Sequence, residues 1–245
     1  MDWQFKPARD HALTPRERLA SLKREGGLVS LACHWLWRQV IRFYLRAFHR
    51  LSVTGLGNLP EPPFVMVANH ASHLDILALA AVLPARYLER VHPIAADDAF
   101  FSSFASSVFA AFAVNAFPLK RKAARPKDLA LLRARLVEDR LIYILFPEGT
   151  RSRDGQMAPF KAGIGALLAA SEVPVVPCFL AGAFAALPAH RRLPLPRPLR
   201  LSLGKPLSFA QSANDRAGWF AVAQTCESEV RRLEQDRIGL NQTDP

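Results

Sequence analysis

Three short runs of almost uninterrupted apolar residues set the terms for this chain: Pro63–Ala68 (PFVMVA), Leu141–Phe146 (LIYILF) and Val173–Leu180 (VPVVPCFL). A strand wetted on one side alternates apolar with polar residues, whereas a continuous run is the pattern of a strand covered on both faces. The intervening segments read as helices. Pro126 suits a first helical position, and Leu129, Leu132, Leu136 and Val137 then share a face. Further helices are expected from the turn after Ala68 to Leu83, over Ala99–Val114, over Lys161–Ala170 and over Asn214–Arg237. Further strands are expected at Val91–Ala95, Ala116–Leu119 and Leu199–Leu203. Strands alternating with helices predict an α/β fold with a mostly parallel mixed sheet flanked by helices. The stretch 184–200, rich in Pro and Arg, reads as an irregular surface loop.

Charge narrows the partners. The chain of 245 residues has 32 Lys and Arg against 21 Asp and Glu, a formal net charge of +11. Most of the surplus comes from two places. Residues 1–50 carry ten cations and four acids, and residues 173–214 carry five cations and no acid. Such a balance points to a polyanionic partner: nucleic acid, an anionic bilayer or phosphorylated substrates. No nucleic-acid docking motif and no basic run interleaved with aromatics is present, so nucleic acid is not expected. Three widely separated cysteines, Cys33, Cys178 and Cys226, supply neither a disulfide framework nor a spaced-thiolate zinc site.

Residues 28–51 read as an amphipathic helix. Arg38, Arg42, Arg46 and Arg50 recur every four residues and form one stripe, with Trp37, Val40, Ile41, Tyr44, Phe48 and Leu51 opposite. An aromatic face against a basic face is the build of a helix lying in a membrane interface, and an ordinary surface helix packed on the core is the alternative. No secretory signal and no apolar run suited to spanning a bilayer is read; Ala99–Leu119 carries four serines and an asparagine. The chain is therefore expected to lie on a membrane and not to cross it. Its expected organisation is an arm and interfacial helix over 1–50, followed by one domain over 51–240.

Four segments carry chemistry. Asn69-His70-Ala71-Ser72-His73-Leu74-Asp75 comes directly after the first apolar strand, at the strand end where α/β proteins place their sites. His70 and Asp75 can meet only if His70 sits in the turn and Asp75 in the first turn of the succeeding helix. Ser72 three residues before Asp75 is an N-cap signature, so Asp75 is either a capping carboxylate or the partner of a general base. Phe146-Pro147-Glu148-Gly149-Thr150-Arg151-Ser152-Arg153 comes after the second strand. There Gly149 permits an unusual backbone angle and Arg151 suits bidentate phosphate binding. Phe117-Pro118-Leu119-Lys120-Arg121-Lys122 offers consecutive cations, either a phosphate patch or a solvated turn. Val173-Pro174-Val175-Val176-Pro177 is a strand bracketed by prolines. No G-x-S-x-G elbow, P-loop or H-E-x-x-H motif occurs, and no metal site is expected.

In this order the four blocks resemble the glycerolipid acyltransferase family, in particular its lysophosphatidic acid acyltransferase-like group. The family pattern runs N-H-x4-D, a short hydrophobic block with Arg, F-P-E-G-T-R-S, and V-P-[IV]-[VI]-P. Pro159-Phe160-Lys161-Ala162-Gly163 also looks like the family, and the resemblance covers roughly residues 50–205. Lys120 stands where many relatives carry an acid.

The resemblance implies His70 as general base, oriented by Asp75. It implies Arg121, helped by Lys120, on the acceptor phosphate, and Glu148, Gly149, Thr150 and Arg151 shaping the acceptor site. It implies no bound cofactor; the co-substrate is an acyl thioester on coenzyme A or acyl carrier protein, which makes the carrier protein a partner. The implied reaction moves a fatty acyl group to the free hydroxyl of 1-acyl-sn-glycerol 3-phosphate, giving phosphatidic acid. Another lysolipid such as a lyso-ornithine lipid, or glycerol 3-phosphate, is the alternative acceptor. A non-catalytic membrane-surface protein is the alternative of another class. The expected location is peripheral or monotopic on the cytoplasmic face of the cell membrane, against an anionic bilayer surface and its lipid acceptor.

Overall fold

The computed structural model describes residues 28–96, 115–119 and 126–242, with short pieces at 10, 12–14, 17 and 21–22. In chain order the elements are α1 (Leu28–Ala47), β1 (Ser52–Thr54), β2 (Phe64–Ala68), α2 (Leu74–Val82), β3 (Val91–Ala96), β4 (Phe117–Leu119), α3 (Pro126–Glu138), β5 (Ile142–Leu145), α4 (Gly163–Leu168), β6 (Val175–Ala181), α5 (Ala183–Ala186), β7 (Arg200–Leu203) and α6 (Arg216–Gln242). Short 3-10 turns stand at Leu56–Asn58 and Ala85–Arg90. The expected helix at Ala99–Val114, most of the amino-terminal arm, and Lys120 and Arg121 lie outside the described residues.

The described strands form one seven-stranded sheet in the order β1-β7-β6-β2-β5-β3-β4. Every neighbouring pair is parallel except β6 with β7. β2 and β6 are buried along their whole length, as their unbroken apolar runs require. Alternate side chains of the central strands feed two cores. Phe64, Met66, Ile142, Ile144 and Val176 point to one face, with Ile41, Leu45, Leu74 and Leu79 of α1 and α2. Val65, Val67, Tyr143 and Val175 point to the other, with Leu132, Leu136, Leu168, Val222 and Val230 of α3, α4 and α6. The result is three layers with the sheet in the middle.

The parallel strands β2, β5 and β6 end on the same edge. Since β7 runs against β6, and β1 with β7, the starts of β1 and β7 lie on that edge too. The two turns that leave β2 and β5, both rich in polar side chains, stand on this edge.

α1 differs from its expected orientation. Ile41 and Leu45 are buried and Trp37, Tyr44 and Leu51 pack on the same core, so most of the face expected to meet a bilayer meets the protein, while Val40 and Phe48 of that face stay exposed. Full burial of one Leu such as Leu45 stabilises that docking by about 1.5–3 kcal/mol. Arg38 turns inward with them. It is 8% exposed and donates from Nη1 to Pro84 O at 3.3 Å, near the end of α2, where helix carbonyls favour a cation. Burial, and then Arg42, lower its pKa to about 10. The outward face of α1 instead presents Trp35, Leu36, Val40 and Phe43, with Phe43 74% exposed. In the 184–200 stretch the short helix α5 extends to Ala186, and the remainder up to β7 is irregular.

Candidate active site

β2 ends at Ala68, and Asn69 anchors the turn that comes next. Its side chain is buried and takes both backbone groups of one residue on the neighbouring strand: Nδ2 donates to Leu180 O at 3.1 Å, and Leu180 N donates to Oδ1 at 2.8 Å. The chain then turns through His70–Ser72 and enters α2 at Leu74, which puts Asp75 in the first helical turn. The unpaired N–H groups of a helix start attract a carboxylate. Asp75 reaches back over the turn accordingly. Its Oδ2 accepts from Ala71 N at 2.7 Å and from Ser72 N at 2.8 Å.

The same oxygen accepts from His70 Nδ1 at 2.9 Å. A carboxylate as acceptor places the proton on Nδ1 and leaves the Nε2 lone pair unprotonated. No described residue occupies Nε2 as a hydrogen-bond partner. His70 is slightly exposed, while Asp75 is fully buried and its Oδ1 has no hydrogen-bond partner. A buried carboxylate bonded through one oxygen holds the imidazole in one tautomer and orientation. The Phe146 ring stacks on the imidazole, centroids 4.2 Å apart and planes 20° from parallel.

The expected capping box forms only in half. The Asp75 carboxylate does accept from Ser72 N, but the Ser72 hydroxyl accepts from Leu74 N at 3.2 Å, and His73 occupies the cap position. His73 is exposed by surface area yet crowded by protein. That partial burial, then Arg151 and His70, push its pKa down to about 4. It is neutral near pH 7.

The turn after β5 wraps the same histidine. Glu148 is 2% exposed. Its Oε1 accepts from His70 N at 2.6 Å and its Oε2 from Ala158 N at 2.9 Å. Ser152 N donates to His70 O at 2.8 Å. Glu148 thus spends both oxygens on backbone groups and none on Arg151. Burial raises its pKa, against the pull of the two N–H donors. Gly149 has φ +73°, a conformation that suits glycine, and a Cβ there would lie 2.5 Å from Lys161 Nζ. Arg151 is half-buried and has no carboxylate partner among the described residues. The structure therefore brings His70, Asp75, Glu148, Gly149, Thr150 and Arg151 into one cluster, with the exposed Thr150 on its rim. Lys120 and Arg121 come after β4, which ends at Leu119, and lie outside the described residues.

Three residues beside the cluster carry more than the sequence assigned to them. Asn69 clamps β2 to β6, Phe146 backs the imidazole, and the Lys161 ammonium lies over Gly149. Phe146 and Lys161 stand inside motif blocks, which was the available signal; their contacts with His70 and Gly149 form only in three dimensions. Among the described residues no group of three or more His, Cys, Asp or Glu is placed to hold a metal ion.

A three-layer α/β fold whose strand edge carries an Asp-anchored histidine defines a class of site suited to proton abstraction. The family model for Acyltransferase matches residues 50–181, and the chain belongs to that family. Among curated relatives, the chloroplastic 1-acyl-sn-glycerol-3-phosphate acyltransferase BAT2 of Brassica napus is 35% identical over 143 residues, covering 55% of this chain and 38% of that protein. The human 1-acyl-sn-glycerol-3-phosphate acyltransferase alpha is 33% identical over 129 residues, covering 52% of this chain and 44% of that protein. The match thus spans less than half the length of these relatives. The crystal structure of the 1-acyl-sn-glycerophosphate acyltransferase PlsC from Thermotoga maritima superposes with a TM-score of 0.63 at 22% identity, covering 84% of this chain and 79% of that one. That likeness establishes the mostly parallel, helix-flanked sheet as a shared fold.

Proposed function

We propose that this chain transfers a fatty acyl group from a thioester of coenzyme A or acyl carrier protein to the free hydroxyl of 1-acyl-sn-glycerol 3-phosphate, forming phosphatidic acid. The observation that carries the reading is the His70 Nδ1–Asp75 Oδ2 bond beside an unoccupied Nε2. Nε2 accepts the hydroxyl proton as the oxygen attacks the thioester carbonyl. The tetrahedral intermediate then expels the thiolate, which recovers that proton from His70. A thioester is already activated, so base and positioning suffice, and such a base typically supplies about 10²–10⁴-fold.

Arg151, with Lys120 and Arg121, takes the acceptor phosphate; a guanidinium matches two phosphate oxygens at once. Glu148 acts as a positioning residue through the backbone of His70, and Gly149 and Thr150 shape the rim of the acceptor site. The names of the relatives, all acyltransferases acting on 1-acyl-sn-glycerol 3-phosphate, support this acceptor.

The acceptor and product reside in a bilayer. No helix among the described residues is long and apolar enough to cross a membrane. The outward face of α1 suits the alternative, with Trp35, Leu36, Val40 and Phe43 entering the interface and Arg42 and Arg46 beside them. On this reading the enzyme lies on an anionic bilayer at the cytoplasmic face of the cell membrane.

The test is a purified-protein screen of lysophosphatidate, other lysolipids and glycerol 3-phosphate against both thioester types, with His70→Ala as control. Radiolabelled phosphatidate formed by the wild type and lost in the variant is the expected result. Preference for a different acceptor reassigns the substrate, and full turnover by the variant removes His70 as the base.

A further inference from the structure

Among the long stretches without Asp or Glu are 28–53 and 173–214, far from each other in the sequence. The fold lays them side by side. β1 pairs with β7, Ser52 opposite Arg200, and Leu199 N donates to His49 O at 2.9 Å. His49, fully buried, donates from Nδ1 to Arg197 O at 3.0 Å and accepts at Nε2 from the Tyr44 hydroxyl at 2.9 Å. The end of α1 and the 188–200 loop are thereby pinned together through one imidazole. Arg46, Arg50, Arg191, Arg192, Arg197 and Arg200 are exposed on this joint surface, and none forms an ion pair among the described residues.

The joint surface also borders the catalytic edge. β7 begins at Arg200 beside Ala181, on the edge where β2 ends. Leu195 N donates to Ala186 O at 2.8 Å, which ties the loop to α5. Phe184 of α5 packs so closely on the loop after the Glu148 turn that a Cβ at Gly155 would lie 2.9 Å from its ring. Amid the loop arginines Leu193 is 77% exposed. Neither α1 nor the 188–200 loop falls within residues 50–181 that match the family model.

We infer that the 188–200 loop and the outward face of α1 form one continuous docking surface for an anionic bilayer. Leu193 enters the interface, and the loop arginines bind headgroup phosphates beside the catalytic edge. The inference rests on the proposed membrane-surface location and adds a second contact to it. The composition of the surface selects the partner. Guanidinium groups match phosphates, and large apolar side chains among them gain only where an acyl boundary lies behind the phosphates. A soluble acidic partner satisfies the arginines but leaves Leu193 and Phe43 in water.

The experiment is co-sedimentation of the full chain with phosphatidylcholine vesicles, with and without phosphatidylglycerol, in the absence of substrates. Three variants are compared: Arg191→Gln/Arg192→Gln/Arg197→Gln, Leu193→Trp and Phe43→Ser. All replace exposed side chains, and a thermal melt checks that each folds. The triple variant is expected to bind phosphatidylglycerol vesicles about ten-fold or more weakly at low salt, a gap that closes at high salt. Leu193→Trp is expected to add fluorescence that brominated lipid quenches.

Wild-type binding by the triple variant together with release of Phe43→Ser overturns the loop contact and leaves the α1 reading standing. Wild-type binding by both overturns both. If the triple variant sediments normally but loses turnover with a short-chain, water-soluble acceptor and a soluble thioester, the loop serves the polyanionic donor and the proposal falls. Retained soluble turnover with lost vesicle binding supports it and leaves the acyl-transfer reading intact.

Discussion

His70 and His49 are both imidazoles held against aromatic rings on the same side of the sheet, and they differ in what their nitrogens meet. His49 is fully buried between two neutral partners, the Arg197 carbonyl and the Tyr44 hydroxyl, so both nitrogens are spent. His70 has one nitrogen on a buried carboxylate and the other unspent. Burial lowers the His49 pKa, and the bond to Arg197 O opposes it only in part. A histidine with no vacant nitrogen and no charged partner is a strut. A histidine with a carboxylate behind it and a lone pair in front is equipped to act as a base. Hydrogen-bond accounting thus separates a structural imidazole from a reactive one more sharply than depth of burial.

The largest effect that tests this contrast is on turnover. His70→Ala should lower kcat by about two to four decades, while His49→Phe should leave kcat/KM within about two-fold and act on the melting temperature alone. Comparable losses of turnover from both would dissolve the distinction. Next in size is the carboxylate. Asp75→Asn keeps an acceptor oxygen but removes the negative charge behind the imidazole, so kcat should fall while KM for the acceptor stays close to the wild-type value. Asp75→Ala additionally strands the Ala71 and Ser72 N–H groups, and a denaturant titration should show a loss of about 1–3 kcal/mol for each buried donor left unpaired.

A smaller effect belongs to the turn. Gly149→Ala forces an L side chain into φ +73° and displaces the Lys161 ammonium; it should cost about 1 kcal/mol or slightly more of stability. It should also raise KM for a phosphate-bearing acceptor. The smallest effect is on pH dependence. His73 and His49 both have folded-state pKa values below the ordinary 6.5, so the unfolded chain binds more protons just below that pH. Their contribution to stability is complete above pH 6.5 and is lost as pH falls toward about 4, the His73 value. Melting curves of His73→Gln between pH 4 and pH 7 should be flatter than those of the wild type; an unchanged slope removes His73 from this account.

The strands were legible because continuous burial writes itself into composition: Phe64–Ala68, Ile142–Leu145 and Val175–Ala181 all coincide closely with the apolar runs. β1 was not, since Ser52–Thr54 is three residues long with no run or alternation to find. α1 was legible as a helix but not in its orientation. It carries apolar side chains on both sides, and the arginine stripe looked like a solvent boundary. On a helical wheel Arg38 lies only about 60° from Ile41. The core takes Ile41 and Leu45, and Arg38 goes inward with them. In the site, the meeting of His70 with Asp75 came from a turn-then-helix reading. The grip of Glu148 on the His70 backbone, the stacking of Phe146 and the position of Lys161 did not, because each depends on a contact made by the folded backbone and not by spacing along the chain.

The pair of hydrogen bonds between the Glu148–Ser152 turn and the main chain of His70, one from its amide and one into its carbonyl, has a mechanical consequence. The His70 imidazole and the guanidinium of Arg151 are thereby held on a single bracket. On the proposed reading, seating the substrate's anionic end registers its alcohol against the imidazole in the same movement. On that reading a change to the turn shifts recognition and reactivity together.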